Sequence, residues 1–204
     1  MVIEKINTAV NKFEKELGLS IGFMESIKND SDWSFVIKIH ALLEVAVSTL
    51  LTKSLGREEL RDIFSTMELS NKRHGKIAFA KAIKVLDKPY RRFINSFSEL
   101  RNDLVHNIKN INFDFKNYVK GLSSKDFDIF LNDFDPLLIK NLMEDQNRLE
   151  ELKDYYKNNP KDALWLAAMG MIEFIYNLKE INIKKNFDDA LLREVGRRKV
   201  NKLN

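Results

Sequence analysis

One short segment carries side chains that could do chemistry together: Arg101-Asn102-Asp103-Leu104-Val105-His106. An imidazole has an unperturbed pKa of about 6.5, so near neutrality it can take a proton from one group and give one to another. A guanidinium never loses its charge and presents two parallel donors that fit a phosphate. Asn102 stands four residues before His106, one helical turn away on the same face, and can orient the imidazole or donate to a phosphate oxygen. Asp103, three residues before His106, either raises the imidazole's pKa or simply sits exposed. These groups suit cleavage of a phosphodiester without a metal: a hydroxyl is deprotonated, a leaving oxygen protonated, and the extra phosphoryl charge held. The plainer reading is structural. In it Arg101 pairs with Glu99 or another helix's carboxylate, Asn102 faces solvent, and His106 favours the negative end of a helix dipole.

Other chemistries have little to stand on. The chain has no cysteine and three histidines, His40, His74 and His106, none of them at a ligand spacing, so neither metal nor cofactor is expected. No glycine-rich phosphate loop, serine nucleophile elbow or dinucleotide fingerprint occurs. His40 and Glu44 lie one turn apart, with Ser48 a further turn on. That polar stripe either lines a cleft, where Glu44 and His40 support the site, or is a surface or buried hydrogen-bonded pair.

These residues must be positioned by helices. Gly numbers 7 and Pro 3 in 204 residues, and no run alternates for long, so sheet has little support. Asp30, Ser31 and Asp32 offer N-caps for a central helix to about Leu55, with Phe35, Ile39, Leu42, Leu43, Ala46 and Leu50 on one face and Gly56 as its stop. Shorter helices are expected over about 57–67 and 76–86, joined by a polar loop in which His74 is exposed. Prolines 89, 136 and 160 mark helix starts. From Pro89 the apolar residues Phe93, Phe97, Leu100 and Leu104 recur at spacings of four and three, the seam of a bundle helix whose last turn holds the Arg-to-His segment. Residues 111–115 alternate briefly and are the one stretch where a short extended segment is entertained. Ser123 and Asp126 form a capping box for a short helix. Helices over about 136–156 and 160–179 and a basic helix over 186–200 complete an all-α, up-and-down bundle with additional C-terminal helices. Trp33 and Trp165 are expected as core or interface anchors.

Glu99 to His106 at the end of a bundle helix resembles the Arg-(four to six residues)-His motif of the HEPN family, including the polar residue often found just after the arginine. Residues 35–107 also look like the mannitol operon repressor-like group. The resemblance covers roughly residues 1–120, leaving 121–204 as a helical extension packed on that core within one domain. It implies a small helical bundle, often a homodimer, acting as a metal-independent ribonuclease of toxin or antiviral systems that leaves a 2′,3′-cyclic phosphate. Arg101, His106 and Asn102 would then be catalytic, Asp103, Glu44 and His40 supporting, and Arg91, Arg92 and Lys109 would hold RNA. A cognate antitoxin or regulatory protein is an expected partner. The mannitol-repressor likeness implies instead a regulator or adaptor acting through protein contacts. Residues five apart point about 140° apart on a regular helix, so Arg101 and His106 share a face only if the helix ends or bends near Val105. In the family's dimers, two such helices meet at a two-fold axis and line one cleft.

Composition agrees with a folded, RNA-compatible chain. At 44% hydrophobic and 31% charged residues it can fill one core and is too apolar for disorder. The net charge of +4 permits a polyanion, with basic residues gathered at 72–76, 88–92 and 193–202, while 126–154 is acid-rich. The charged N-terminus lacks a secretory apolar run, and the apolar stretch at 163–176 is too short to span a bilayer and reads as a buried core helix, so a cytoplasmic location with no membrane contact is expected.

Overall fold

The computed structural model describes residues 2–135 and 145–200. They form ten α-helices: α1 (Val2–Glu16), α2 (Phe23–Ser26), α3 (Asp32–Leu55), α4 (Arg61–Thr66), α5 (Lys76–Ala82), α6 (Lys88–Val105), α7 (Phe115–Lys120), α8 (Ser124–Phe134), α9 (Gln146–Asn158) and α10 (Pro160–Val200). Short 3-10 turns lie at 27–29, 58–60 and 108–112, and no strand occurs among the described residues. The all-α fold is as expected.

The organising helix is α3. It begins where the Ser31 hydroxyl accepts a hydrogen bond from the Ser34 N–H at 3.2 Å and stops at Gly56, whose φ of 63° suits a residue without Cβ. Its buried residues Phe35, Val36, Ile39, Leu42, Leu43, Ala46, Val47, Leu50 and Leu51 run around most of its circumference rather than along one face. A helix apolar nearly all round needs neighbours on most sides. Here α6, α10, α4 and α5 supply them. Among the described residues α3, and not 163–176, is by length and composition apolar enough to cross a membrane, yet 61% of its most apolar stretch is buried inside the fold. It reads as a core helix.

Four expected boundaries differ. Residues 111–115 are not extended. Asn107 and Asp114 accept hydrogen bonds from the backbone of Lys109 (3.1 Å) and Asn117 (2.7 Å), giving a 3-10 turn and then α7. Local Asn and Asp capping wins where no strand is present to pair with. The expected helix over 136–156 begins at Gln146, because Asp145 leaves helical backbone and caps Arg148. Residues 136–144, Pro136 included, lie outside the described residues. The two C-terminal helices are one, since no glycine or proline separates 179 from 186. The expected helix over 76–86 stops at Ala82, followed by Lys84 at a φ of 58°.

The stretch after residue 120 enters the same core as the rest. Phe134 of α8 packs its ring against Phe93 and Phe97 of α6, with the Phe130 ring tilted against it, and Met169, Ile172 and Ile175 of α10 are buried in the same cluster. Asp32 ties three elements together. One oxygen accepts the Phe115 N–H at 2.7 Å and the other pairs with Lys161 at 3.1 Å.

Candidate functional site: the end of α6

Helix α6 lies against α3 through Phe93, Ile94, Phe97, Leu100 and Leu104, all buried, as the four-and-three spacing predicts. Two tethers hold its C-terminal end. The Trp33 indole N–H donates to the Leu104 carbonyl at 3.4 Å, and the Asn110 amide donates to the Asp103 carbonyl at 2.8 Å. Both carbonyls lie among those a helix end leaves unpaired, so this terminus is braced.

Arg101 and Asn102 are half-buried, and the guanidinium donates to the Asn102 side-chain oxygen at 3.0 Å. Asn102 therefore supports the arginine rather than His106. His106 is exposed at the C-cap. Its backbone stays helical (φ −80°, ψ −7°) and its N–H donates to the Asn102 carbonyl at 3.1 Å, so the angular gap of about 140° from Arg101 persists. The helix ends without the bend that would bring the two side chains onto one face. Close to His106 in the chain, Val105, Ile108 and Ile111 are exposed at 37, 79 and 51%. Lys109 is exposed beside them.

Behind Arg101 is an ionic group made by three helices. Lys76, the first residue of α5, is 1% exposed and donates to Glu44 of α3 at 2.7 Å, while the Glu44 side chain remains a third exposed. His40, one turn before Glu44, is buried. Burial, and then the charge of Arg101, push its pKa below the ordinary value, Glu44 pulls the other way, and Lys76 adds to the lowering. His40 is thus held toward the neutral form at neutral pH. Glu44 pairs with Lys76 and not with His40, and both belong to the wall behind Arg101. Lys76, counted by sequence in the basic cluster at 72–76, is therefore not on the surface. Its burial depends on Gly75, where a Cβ would come within 2.5 Å of the Asn71 backbone. The close Gly75–Asn71 approach and the Lys76 N–H to Glu68 carbonyl bond at 2.9 Å lay the lysine inward. A lysine opening a helix after glycine carries no sequence signal of burial.

The remaining expected residues lie elsewhere. Arg91 donates to the Leu86 carbonyl, and Arg92 pairs with Asp133 at 3.3 Å. Both are near the start of α6, about 13–15 Å along the axis from Arg101, and are engaged in holding the fold. Of the three expected RNA-binding cations only Lys109 is beside His106. Asp103 lines a cleft of about 570 Å³ with Glu99, Asp126, Asp133 and Tyr118, where its charge helps raise the tyrosine's pKa after burial has done most. His74 is exposed, as expected. Among the described residues no group of three or more His, Asp and Glu is placed to hold a metal.

No family matches this sequence, and no curated protein or solved structure matches it.

Proposed function

We propose that this chain is a metal-independent endoribonuclease of the HEPN type, working in the cytoplasm as a homodimer. The reading is carried by the end of α6, where a braced, half-buried arginine and an exposed histidine stand amid an exposed apolar apron. Arg101 holds the scissile phosphate and Asn102 fixes the guanidinium. The imidazole of one His106 takes the proton from a ribose 2′-hydroxyl, whose oxygen attacks phosphorus. The bond to the 5′-oxygen breaks, and the imidazolium so formed gives its proton to that oxygen. Products are a 2′,3′-cyclic phosphate and a 5′-hydroxyl. Because Arg101 and His106 of one chain diverge by about 140°, each working pair takes its arginine from one subunit and its histidine from the other. Covering Val105, Ile108 and Ile111 favours that association, since monomers seldom leave clustered apolar side chains in water. A neutralising protein is the regulatory partner this activity calls for.

The test is complementation. Wild-type protein in EDTA should cleave RNA to cyclic-phosphate ends, and Arg101→Ala and His106→Ala should each lose at least about 100-fold, the scale of a removed general acid–base or charge-stabilising group. Mixing the two inactive variants after co-refolding should restore part of the activity. Absence of cleavage by wild type sinks the nuclease reading. Cleavage without complementation sinks the shared site.

A second reading, a non-enzymatic adaptor of the mannitol-repressor-like kind, is favoured by the ionic group behind Arg101. A guanidinium that Asn102 already engages beside His40, Glu44 and Lys76 is also explained as part of the scaffold.

A further inference from the structure

On another face, α7 and α9 border an open cleft of about 700 Å³ whose floor includes Val119 and the buried Phe127. Each wall carries two lysines one helical turn apart, Lys116 and Lys120 on α7 and Lys153 and Lys157 on α9. Two carboxylates lie there too. Asp128 and Glu150 both pair with Lys153, at 3.2 and 3.3 Å, and so cancel that lysine rather than the others. Lys157 leans over the Phe127 ring at 5.3 Å and reaches Asp154 only at 4.0 Å, both side chains being more than half exposed. Lys116 and Lys120 are exposed and have no ion-pair partner among the described residues. Like charges at this spacing weaken a helix, and α7 is only six residues long. The placement has a cost that neighbouring carboxylates do not relieve.

We propose that this cleft binds the phosphodiester backbone of single-stranded RNA. Phosphate fits the donor set, since lysine is a hydrated point charge on a flexible stem and a common phosphate ligand. Two lysines one turn apart sit about 5–6 Å from each other, comparable to the separation of neighbouring phosphates on a strand. The hollow is too small for a duplex and suits a few nucleotides of one strand, as in grooves that track a backbone without reading bases. An RNA ligand accords with the ribonuclease reading, but the cleft is defined without it and shares no residue with the end of α6.

Binding is measured by fluorescence anisotropy with an uncleavable 2′-O-methyl oligoribonucleotide of about 12 residues, across a salt series. Lys116→Gln/Lys120→Gln should weaken binding by at least about fivefold. It should also flatten the dependence of log K on log salt by about 1.4, from two phosphate contacts at about 0.7 each on a single strand. Removing the same charge from exposed lysines elsewhere, Lys12→Gln/Lys81→Gln, should change neither quantity. The proposal is overturned if the cleft variant binds as wild type does, if the control variant loses as much, or if poly-glutamate of equal length competes as well as RNA. Wild type that binds through these lysines yet cuts no RNA keeps the cleft and removes the nuclease reading. Cleavage with binding indifferent to Lys116 and Lys120 does the reverse.

Discussion

Lys76 and Glu44 form a pair whose two members differ in what they can do without each other. The ammonium is sealed at 1% exposure, whereas the carboxylate keeps contact with water. Glu44→Gln strands a buried charge and should cost about 3–5 kcal/mol, while Lys76→Met fills the same space and leaves a carboxylate that water can solvate, for about 1 kcal/mol or less. Urea unfolding of the two variants should show that inequality, with the double variant close to Lys76→Met. Equal losses would mean Glu44 is as dry as its partner. His40 adds a pH dependence. Unfolding returns the imidazole to an ordinary pKa near 6.5, so below that value the unfolded chain binds more protons than the native one. Stability should be complete above about pH 6.5 and fall toward the lowered native pKa, with a slope of at most about 1.4 kcal/mol per pH unit. Urea midpoints at pH 7.5 and 5.5 should diverge less in His40→Leu than in wild type. The pairing of Lys76 with Glu44 is not visible in the sequence, because the two stand 32 residues apart and meet only in the folded chain. The Arg-to-His segment itself was legible, since its order and its place at a helix end are local properties.

Helices α3 and α6 were readable for the same reason: Ser31 and Gly56 cap one locally, and the phenylalanine seam repeats along the other. Elements set by capping in short polar stretches were harder. The alternation of Ile111, Phe113 and Phe115 has the period of a strand, yet Asn107 and Asp114 turn the backbone there, a competition that periodicity does not register. Two predictions belong to elements. Trp33→Phe keeps the ring but frees the Leu104 carbonyl, so it should cost about 1 kcal/mol and speed hydrogen exchange of the last turn of α6 more than that of its middle. Exchange rising uniformly through α6 would mean the indole braces the whole helix. Lys84 sits just past α5 in left-handed backbone, where a Cβ is disfavoured, so Lys84→Gly should stabilise by about 0.5–1 kcal/mol in thermal unfolding.

For the whole molecule, the all-α class followed from scarce glycine and proline and from helical spacing, and 163–176 read as a core helix, but the packing of α10 along α3 did not follow. Read along the chain, residues after 120 look like an addition; in space, Leu164, Met169 and Ile172 fill the same core as Ile39 and Leu43, and α10 runs along α3. A chain ending at Asn159 removes those side chains together with Lys161, which pairs with Asp32. It should lose cooperative thermal unfolding altogether rather than melt a few degrees lower, by circular dichroism and calorimetry.

The Asp32 junction sets an order of events during synthesis. This carboxylate leaves the ribosome 129 residues ahead of Lys161, and until that lysine emerges the longest apolar helix in the fold has one flank open to water. Residues 101–106 are therefore made well before the core that steadies them can close. A chain cut short in translation exposes greasy surface for proteases and chaperones to seize, and the finished product is released with the end of α6 already braced.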